Sequence, residues 1–186
     1  LLDQRVDALI SWGCAGALDE GLRPGHLMVP ERIVSADDEV FVPDPSWHQD
    51  FIEHIPRHLM HHTGTLLESI RVIKTADEKG RLHRATGALA IDMESASIAR
   101  LAKAENLPFL VIRSIADHAS MTFPEAINRS LNPRGDVHMG PLLLELLRRP
   151  QDLKGLIQLG RSFSLAMATL KRVKNAQNTH FSLKGR

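Results

Sequence analysis

The sequence predicts an α/β fold, a three-layer α/β/α sandwich around a central, mostly parallel (mixed) sheet, held as a single domain over residues 1–186. Two observations predict it. Short apolar runs alternate with stretches of helical periodicity over residues 7–120, as strands and crossover helices do in a parallel sheet. After residue 139 apolar residues recur at helical spacing, so an α/β core over 1–138 is followed by C-terminal helices over 139–186.

Each element has its own local reason. Residues 7–11 (DALIS) form a short apolar run that stops at Trp12-Gly13-Cys14-Ala15-Gly16, and so read as a buried strand entering a glycine turn. Residues 26–34 follow the turn pair Pro24-Gly25 and read as one strand, and the acids and prolines of 35–50 read as a loop. A short helix is expected over 47–55, ending near Pro56, and a strand or hairpin over the β-branched, alternating segment 63–73. Residues 75–82 read as loop, 86–91 as a strand, 94–106 as an amphipathic helix that stops before Leu107-Pro108, and 108–115 as a strand. Pro150 and Gly160 break the C-terminal pattern into two or three helices.

Composition narrows the function classes. A formal net charge of +1 with 24% charged residues offers no electrostatic footprint for nucleic acid. Cys14 is the sole cysteine, which excludes an internal disulfide and fits a reducing, cytoplasmic setting. No run of about 18 apolar residues suggests a transmembrane segment. His54, His58 and His62 are spaced four apart, but Pro56 interrupts them and no cysteine joins them, so they read as a solvated face and no metal is expected.

In a parallel sheet, ligands bind beyond the carboxyl ends of the strands. That rule selects three junctions, at Ser11, Ile91 and Ile115, which could converge on one cleft. At the first, the glycines of Gly13-Cys14-Ala15-Gly16 either let backbone N–H groups approach an anion or serve packing alone. At the second, Glu94 beside Met93 suits a sugar, a carboxylate for two vicinal hydroxyls and a thioether for the ring face. The alternative is that Asp92 caps the following helix while Glu94 complements its dipole and Met93 packs in the core. At the third, a partly desolvated Asp117 can be raised from a pKa of about 4 toward neutrality and act as a general acid, or it is a turn residue. Neither Cys14 nor His118 is paired by the sequence with a catalytic partner.

Two motifs in order resemble the nucleoside phosphorylase and nucleosidase superfamily of purine and uridine phosphorylase type. They are GCAGALDEGLRPGHLMVPERIV, with its GxAG and Pro-Gly turns, and AIDMESASIARLAKAENLPFLVIRSIADHA, with its acidic-Met-Glu helix start and later R-x-I-x-D. The likeness covers about residues 5–125, and the C-terminal part is similar to the hopanoid-associated phosphorylase branch. The resemblance implies cleavage of the N-glycosidic bond of a purine nucleoside, with adenosylhopane as substrate, adenine as product and a role in hopanoid biosynthesis. The alternatives it leaves are a methylthioadenosine/adenosylhomocysteine nucleosidase and a nucleoside-binding protein without turnover.

By that resemblance Met93 and Glu94 hold the ribose, Asp117 protonates N7 of the base, Phe123 lies near the 5′ substituent, and Gly13, Cys14, Ala15 and Gly16 bind phosphate or the attacking water. The partner implied is a small-molecule purine nucleoside, here a lipid-linked one that would place the protein at the periphery of the inner membrane. No cofactor is implied beyond phosphate as a co-substrate, and the family's habit implies a homo-oligomer. Cys14 stands where the family commonly has Ser, which leaves hydrolysis open beside phosphorolysis. The family's base-stacking aromatic is missing from 75–82, with Trp12 or Phe123 as substitutes, and its first strand and water-activating Glu would precede Leu1.

Overall fold

The computed structural model describes residues 6–130 and 148–184. Strand β1 (Leu9–Ala17) lies in the middle of an eight-stranded mixed sheet of order β4-β3-β6-β7-β1-β8-β2-β5. The other strands are β2 (Leu27–Met28), β3 (Arg32–Val34), β4 (Val40–Phe41), β5 (His61–His62), β6 (Thr65–Glu68), β7 (Ala90–Asp92) and β8 (Phe109–Asp117). Pairings β1–β8, β2–β5, β3–β6 and β6–β7 are parallel, whereas β1–β7, β3–β4 and β2–β8 are antiparallel. The helices are α1 (Pro45–Glu53), α2 (Ala76–Thr86), α3 (Ser95–Ala104), α4 (Glu125–Ser130) and α5 (Asp152–Lys184).

The three layers follow from strand alternation, because successive side chains leave opposite faces of a sheet. Phe109, Val111 and Ile115 of β8 pack with Ala96, Ala99 and Ala102 of α3 on one face. Leu110 and Ile112 pack with Phe51 of α1 and with Leu170 and Val173 of α5 on the other. The three alanines of α3 present a flat stripe, so that helix sits close on the sheet. Leu67 and Ile91, whose strand neighbours Leu66 and Ala90 face α3, pack with Leu82 of α2.

Several elements depart from expectation. Residues 13–16 are not a turn: β1 runs through them to Ala17, with a register shift between Ala15 and Gly16. Residues 26–34 form two strands rather than one. Pro30, which has no N–H for a ladder, separates β2 beside β8 from β3 beside β6. The expected loop 35–50 contains β4 and the start of α1, whose Asp44 cap accepts a hydrogen bond from Trp47 N at 2.8 Å. Residues 75–82 begin α2 instead of a loop. Thr75 accepts from Glu78 N at 3.3 Å, Asp77 and Glu78 occupy the first turn, and Gly87 closes the helix at φ 66°.

Among the described C-terminal residues the long helix α5 begins after Pro150 and passes through Gly160 without a break. Glycine lowers helix propensity by about 1 kcal/mol, too little to end a helix anchored by Ala166, Leu170 and Val173. The helices expected over 139–147 lie outside the described residues. The spaced histidines share no helical face, since α1 ends at Glu53 and His61 and His62 form β5. No helix among the described residues is long and apolar enough to cross a membrane.

Candidate active site

Register brings the three junctions together. Gly16 is level with Asp117 of β8 on one side and with Ile91 of β7 on the other. Because β7 runs antiparallel to β1, its carboxyl end turns back beside Ala15 and Cys14 rather than pointing past the sheet edge. The site is therefore a gap between strands, and it exists because β1 extends beyond the expected turn. A cavity of about 210 Å³ occupies the gap, lined by Cys14, Ala15, Gly16, Met93, Glu94, Asp117 and Phe123 among others. Every sequence-derived site residue except Gly13 reaches it. A larger hollow of about 650 Å³ on another face of α2 has charged lining residues that are all at least partly exposed. The smaller cavity contains the buried ionisable groups and is the site the chemistry favours.

Two buried polar pairs lie beside it, each through a carboxyl group that lines it. Arg113, 2% exposed, donates from Nε to Asp92 Oδ2 at 2.6 Å and from Nη2 to Ser11 Oγ at 2.7 Å. Asp92 also accepts from the Ser95 hydroxyl and, at 3.4 Å, from Ser95 N at the start of α3. Asp92 thus anchors the helix as expected, but as one end of a buried pair rather than as a simple cap. Gly13 adjoins this pair, since a Cβ there would stand 3.2 Å from Arg113 Nη1. It leaves room for the guanidinium.

Glu94 has no such duty. It occupies the N-cap position of α3 but makes no side-chain cap hydrogen bond. Its side chain is 72% exposed, and among the described residues its ion-pair contact is Arg113 Nη2 at 3.8 Å. A carboxylate at this place complements the dipole of α3 without a hydrogen bond, and it is available at the cavity mouth beside half-buried Met93.

The second pair is one the sequence did not signal. Lys79 of α2 is 1% exposed, and its Nζ pairs with Asp117 Oδ2 and donates to His118 O at 2.8 Å. Burial pushes the Asp117 carboxyl above the usual carboxylate range, although the Lys79 ammonium pulls it down. A carboxyl raised in this way keeps its proton to higher pH and can serve as a general acid. The loop after β8 is tied to α2, with Phe123 N donating to Lys74 O at 2.9 Å and Ala76 N to Thr122 Oγ1 at 3.2 Å. Phe123 is thereby set in the cavity wall, its ring centroid 5.7 Å from Lys79 Nζ. Trp12, the other aromatic proposed to stack on a base, instead lines a separate hollow with Ile10 and Trp47.

Cys14 lines the cavity, but burial raises its thiol, which stays protonated and un-nucleophilic. Burial and the Arg23 guanidinium keep the His118 imidazole below its ordinary value. Among the described residues no group of three or more His, Cys, Asp or Glu is placed to hold a metal ion.

With this geometry in place, likeness to known proteins is decisive. The sequence profile of the phosphorylase superfamily matches residues 1–132. The chain belongs to that superfamily. Among relatives within the superfamily, a 5′-methylthioadenosine/S-adenosylhomocysteine nucleosidase of Buchnera aphidicola is 26% identical over 148 residues, covering 69% of this chain and 58% of that protein. A nucleosidase of the same name from Thermotoga maritima is 25% identical over 150 residues, covering 77% of this chain and 68% of its own. The chain thus spans little more than half the length of the first of these relatives. The Neisseria meningitidis nucleosidase in complex with methylthio-immucillin-A shares the fold, with a TM-score of 0.67 at 16% identity over 92% of this chain and 68% of that one.

Gly16 offers a test that needs no substrate. A Cβ there would lie 3.0 Å from Asp117 Oδ1, and Lys79 prevents Asp117 from moving aside. Gly16→Ala should gain about 0.4–1 kcal/mol from a stiffer unfolded chain. Crowding should cost about 1–3 kcal/mol, so the variant is expected to unfold at lower urea. An unchanged or higher urea midpoint would show that Asp117 is not pinned.

Proposed function

We propose that this protein cleaves the N-glycosidic bond of an adenosine-type purine nucleoside with water, releasing adenine. The observation that carries the reading is a buried acid, Asp117, in one cavity with an exposed carboxylate, Glu94, and Met93. C–N cleavage leaves an oxocarbenium-like sugar and an anionic base, so a proton donor at the base acts mainly in the transition state. Asp117 gives its proton to N7 of the purine, Glu94 accepts hydrogen bonds from the ribose hydroxyls, and Met93 lies against the sugar. Phe123 walls the base and 5′ side.

5′-Methylthioadenosine and S-adenosylhomocysteine are the favoured substrates, because the relatives described above carry those names. Their support is stronger than that for adenosylhopane, the leading expectation from sequence. The absence of an aromatic ring in 75–82 no longer counts against this assignment. That segment begins α2 and contributes Lys79, while Phe123 supplies a ring from the loop after β8. Hydrolysis is favoured over phosphorolysis because residues 13–16 are paired strand rather than an anion-cradling turn, and a Cys14 thiol is a weak donor.

The test is adenine release by the full-length protein from 5′-methylthioadenosine, S-adenosylhomocysteine and adenosylhopane, with and without phosphate. Phosphate-independent release from the first two is expected. Glu94→Gln should lower kcat/KM about 10–100-fold, the equivalent of one hydrogen bond to a charged group. Failure to release adenine from all three substrates would overturn the proposal, and strict phosphate dependence would overturn its hydrolytic form.

A further inference from the structure

Lys79 is the most deeply buried cation beside the cavity, and nothing in the mechanism above uses it. Removing an ammonium from water costs several kcal/mol unless close partners compensate. Its partners are Asp117 Oδ2 and the carbonyl of His118, both contributed by the end of β8. The remaining carboxyl oxygen, Asp117 Oδ1, lies over Gly16, where an added Cβ would stand 3.0 Å away. The two oxygens of the acid therefore differ: one is clamped by a cation, and the other lies against Gly16, itself part of the cavity lining.

We propose that Lys79 is the positioning residue of the acid, fixing Asp117 Oδ2 so that Oδ1 presents the proton, and stabilising the carboxylate that remains after transfer. The inference rests on Asp117 being the general acid of the preceding section. As C1′–N9 breaks, its electron pair goes to the purine and the Oδ1 proton goes to N7, so adenine leaves neutral. Asp117 becomes an anion facing the Lys79 ammonium, whose own protons stay in place. Water adds at C1′, and the proton it releases restores Asp117, so each turnover consumes one water. Lys79 thereby stabilises the transition state, in which Asp117 is gaining negative charge, more than the ground state, in which it is neutral.

The charged neighbours define the controls. From α2, Glu78 is engaged by Arg71. From the β8 loop, His118 lies next to Asp117, with Arg23 Nη1 3.5 Å from its Nδ1. From β7 and α3, Asp92 is held by Arg113 and Glu94 is solvated, and β1 contributes the Cys14 thiol. Lys79 and His118 are the two ionisable groups whose charges bear on Asp117.

The experiment follows protonation of Asp117 in the full-length protein by the infrared carbonyl band of 13C-labelled aspartate, alongside the pH profile of adenine release from 5′-methylthioadenosine. Lys79→Met should raise the Asp117 midpoint by about one pH unit or more, since an opposite charge nearby lowers a carboxyl by that much. The alkaline limb of kcat should move up with it, while kcat itself falls about tenfold or more and KM changes little. Lys79→Arg retains the charge and should leave the midpoint near that of wild type, a rescue that a packing role would not show; it also provides a reading should Lys79→Met fail to fold. His118→Gln should raise the midpoint by less than Lys79→Met does, since its charge is the weaker influence on Asp117. A midpoint unmoved by Lys79→Met, or one that follows His118→Gln instead, would overturn the proposal. A midpoint that moves in a protein releasing no adenine would support the Lys79–Asp117 coupling and overturn the nucleosidase reading.

Discussion

Asp117→Asn is expected to lower adenine release about 10²–10⁴-fold, the usual contribution of a general acid. The amide keeps the shape of the carboxyl and can still accept a hydrogen bond from Lys79 Nζ, but it has no proton to lose. The pH profile separates this from a folding defect. Burial raises the wild-type carboxyl, so the reactive protonated form predominates below that raised value. Release should fall as pH rises through it, and in the Asn variant that limb should disappear along with most of the rate. Stability carries the same sign. A carboxyl raised on folding binds its proton more tightly in the native state, so its contribution is complete below the unfolded pKa of about 4 and is lost as pH rises through the folded value. Urea midpoints at acid and alkaline pH should therefore differ less in Asp117→Asn than in wild type. An Asn variant that keeps the wild-type rate and alkaline limb would remove Asp117 from the chemistry.

What could be read from sequence is what leaves a local trace. β8 is an apolar run that begins after Pro108 and is bounded by an acid, and α3 carries Ala96, Ala99 and Ala102 at helical spacing, so both were legible. The Met93-Glu94 pair and Asp117 followed from their positions at strand ends together with the family likeness. The two glycines of β1 misled, because a glycine within a strand looks like a turn until its neighbour is known. Each leaves room for a side chain of the adjacent strand, Arg113 beside Gly13 and Asp117 beside Gly16. α2 was hidden for a different reason. Among its residues Lys79 alone is buried, so it has no apolar stripe, and its only signals were the Thr75 and Glu78 cap and the closing Gly87. No pattern of residue types marks a lysine as buried. Lys79 acquires its role from Asp117, 38 positions away, and only the fold brings the two together.

The same dependence on a distant partner makes the Arg113 pair the most sensitive point for stability. Asp92→Ala removes the counter-charge of a guanidinium that is 2% exposed, and with it the acceptor for Ser95 at the start of α3. Breaking one side of a buried pair costs about 3–5 kcal/mol, a large share of the 5–15 kcal/mol that holds a typical domain folded. Replacing both members is different. Arg113→Met with Asp92→Leu leaves no buried charge uncompensated and fills similar volume, so the double variant should unfold at a higher urea concentration than Asp92→Ala alone. The Ser95 hydroxyl loses its partner in either case, and Ser11 loses its own in the double variant, so wild-type stability should not be fully restored. Gly13 supplies an independent check. A Cβ there would stand 3.2 Å from Arg113 Nη1, so Gly13→Ala should destabilise wild type by crowding yet be tolerated once Arg113 is Met. Equal costs for Gly13→Ala in the two backgrounds would mean that the glycine is required by β1 itself and not by the arginine beside it.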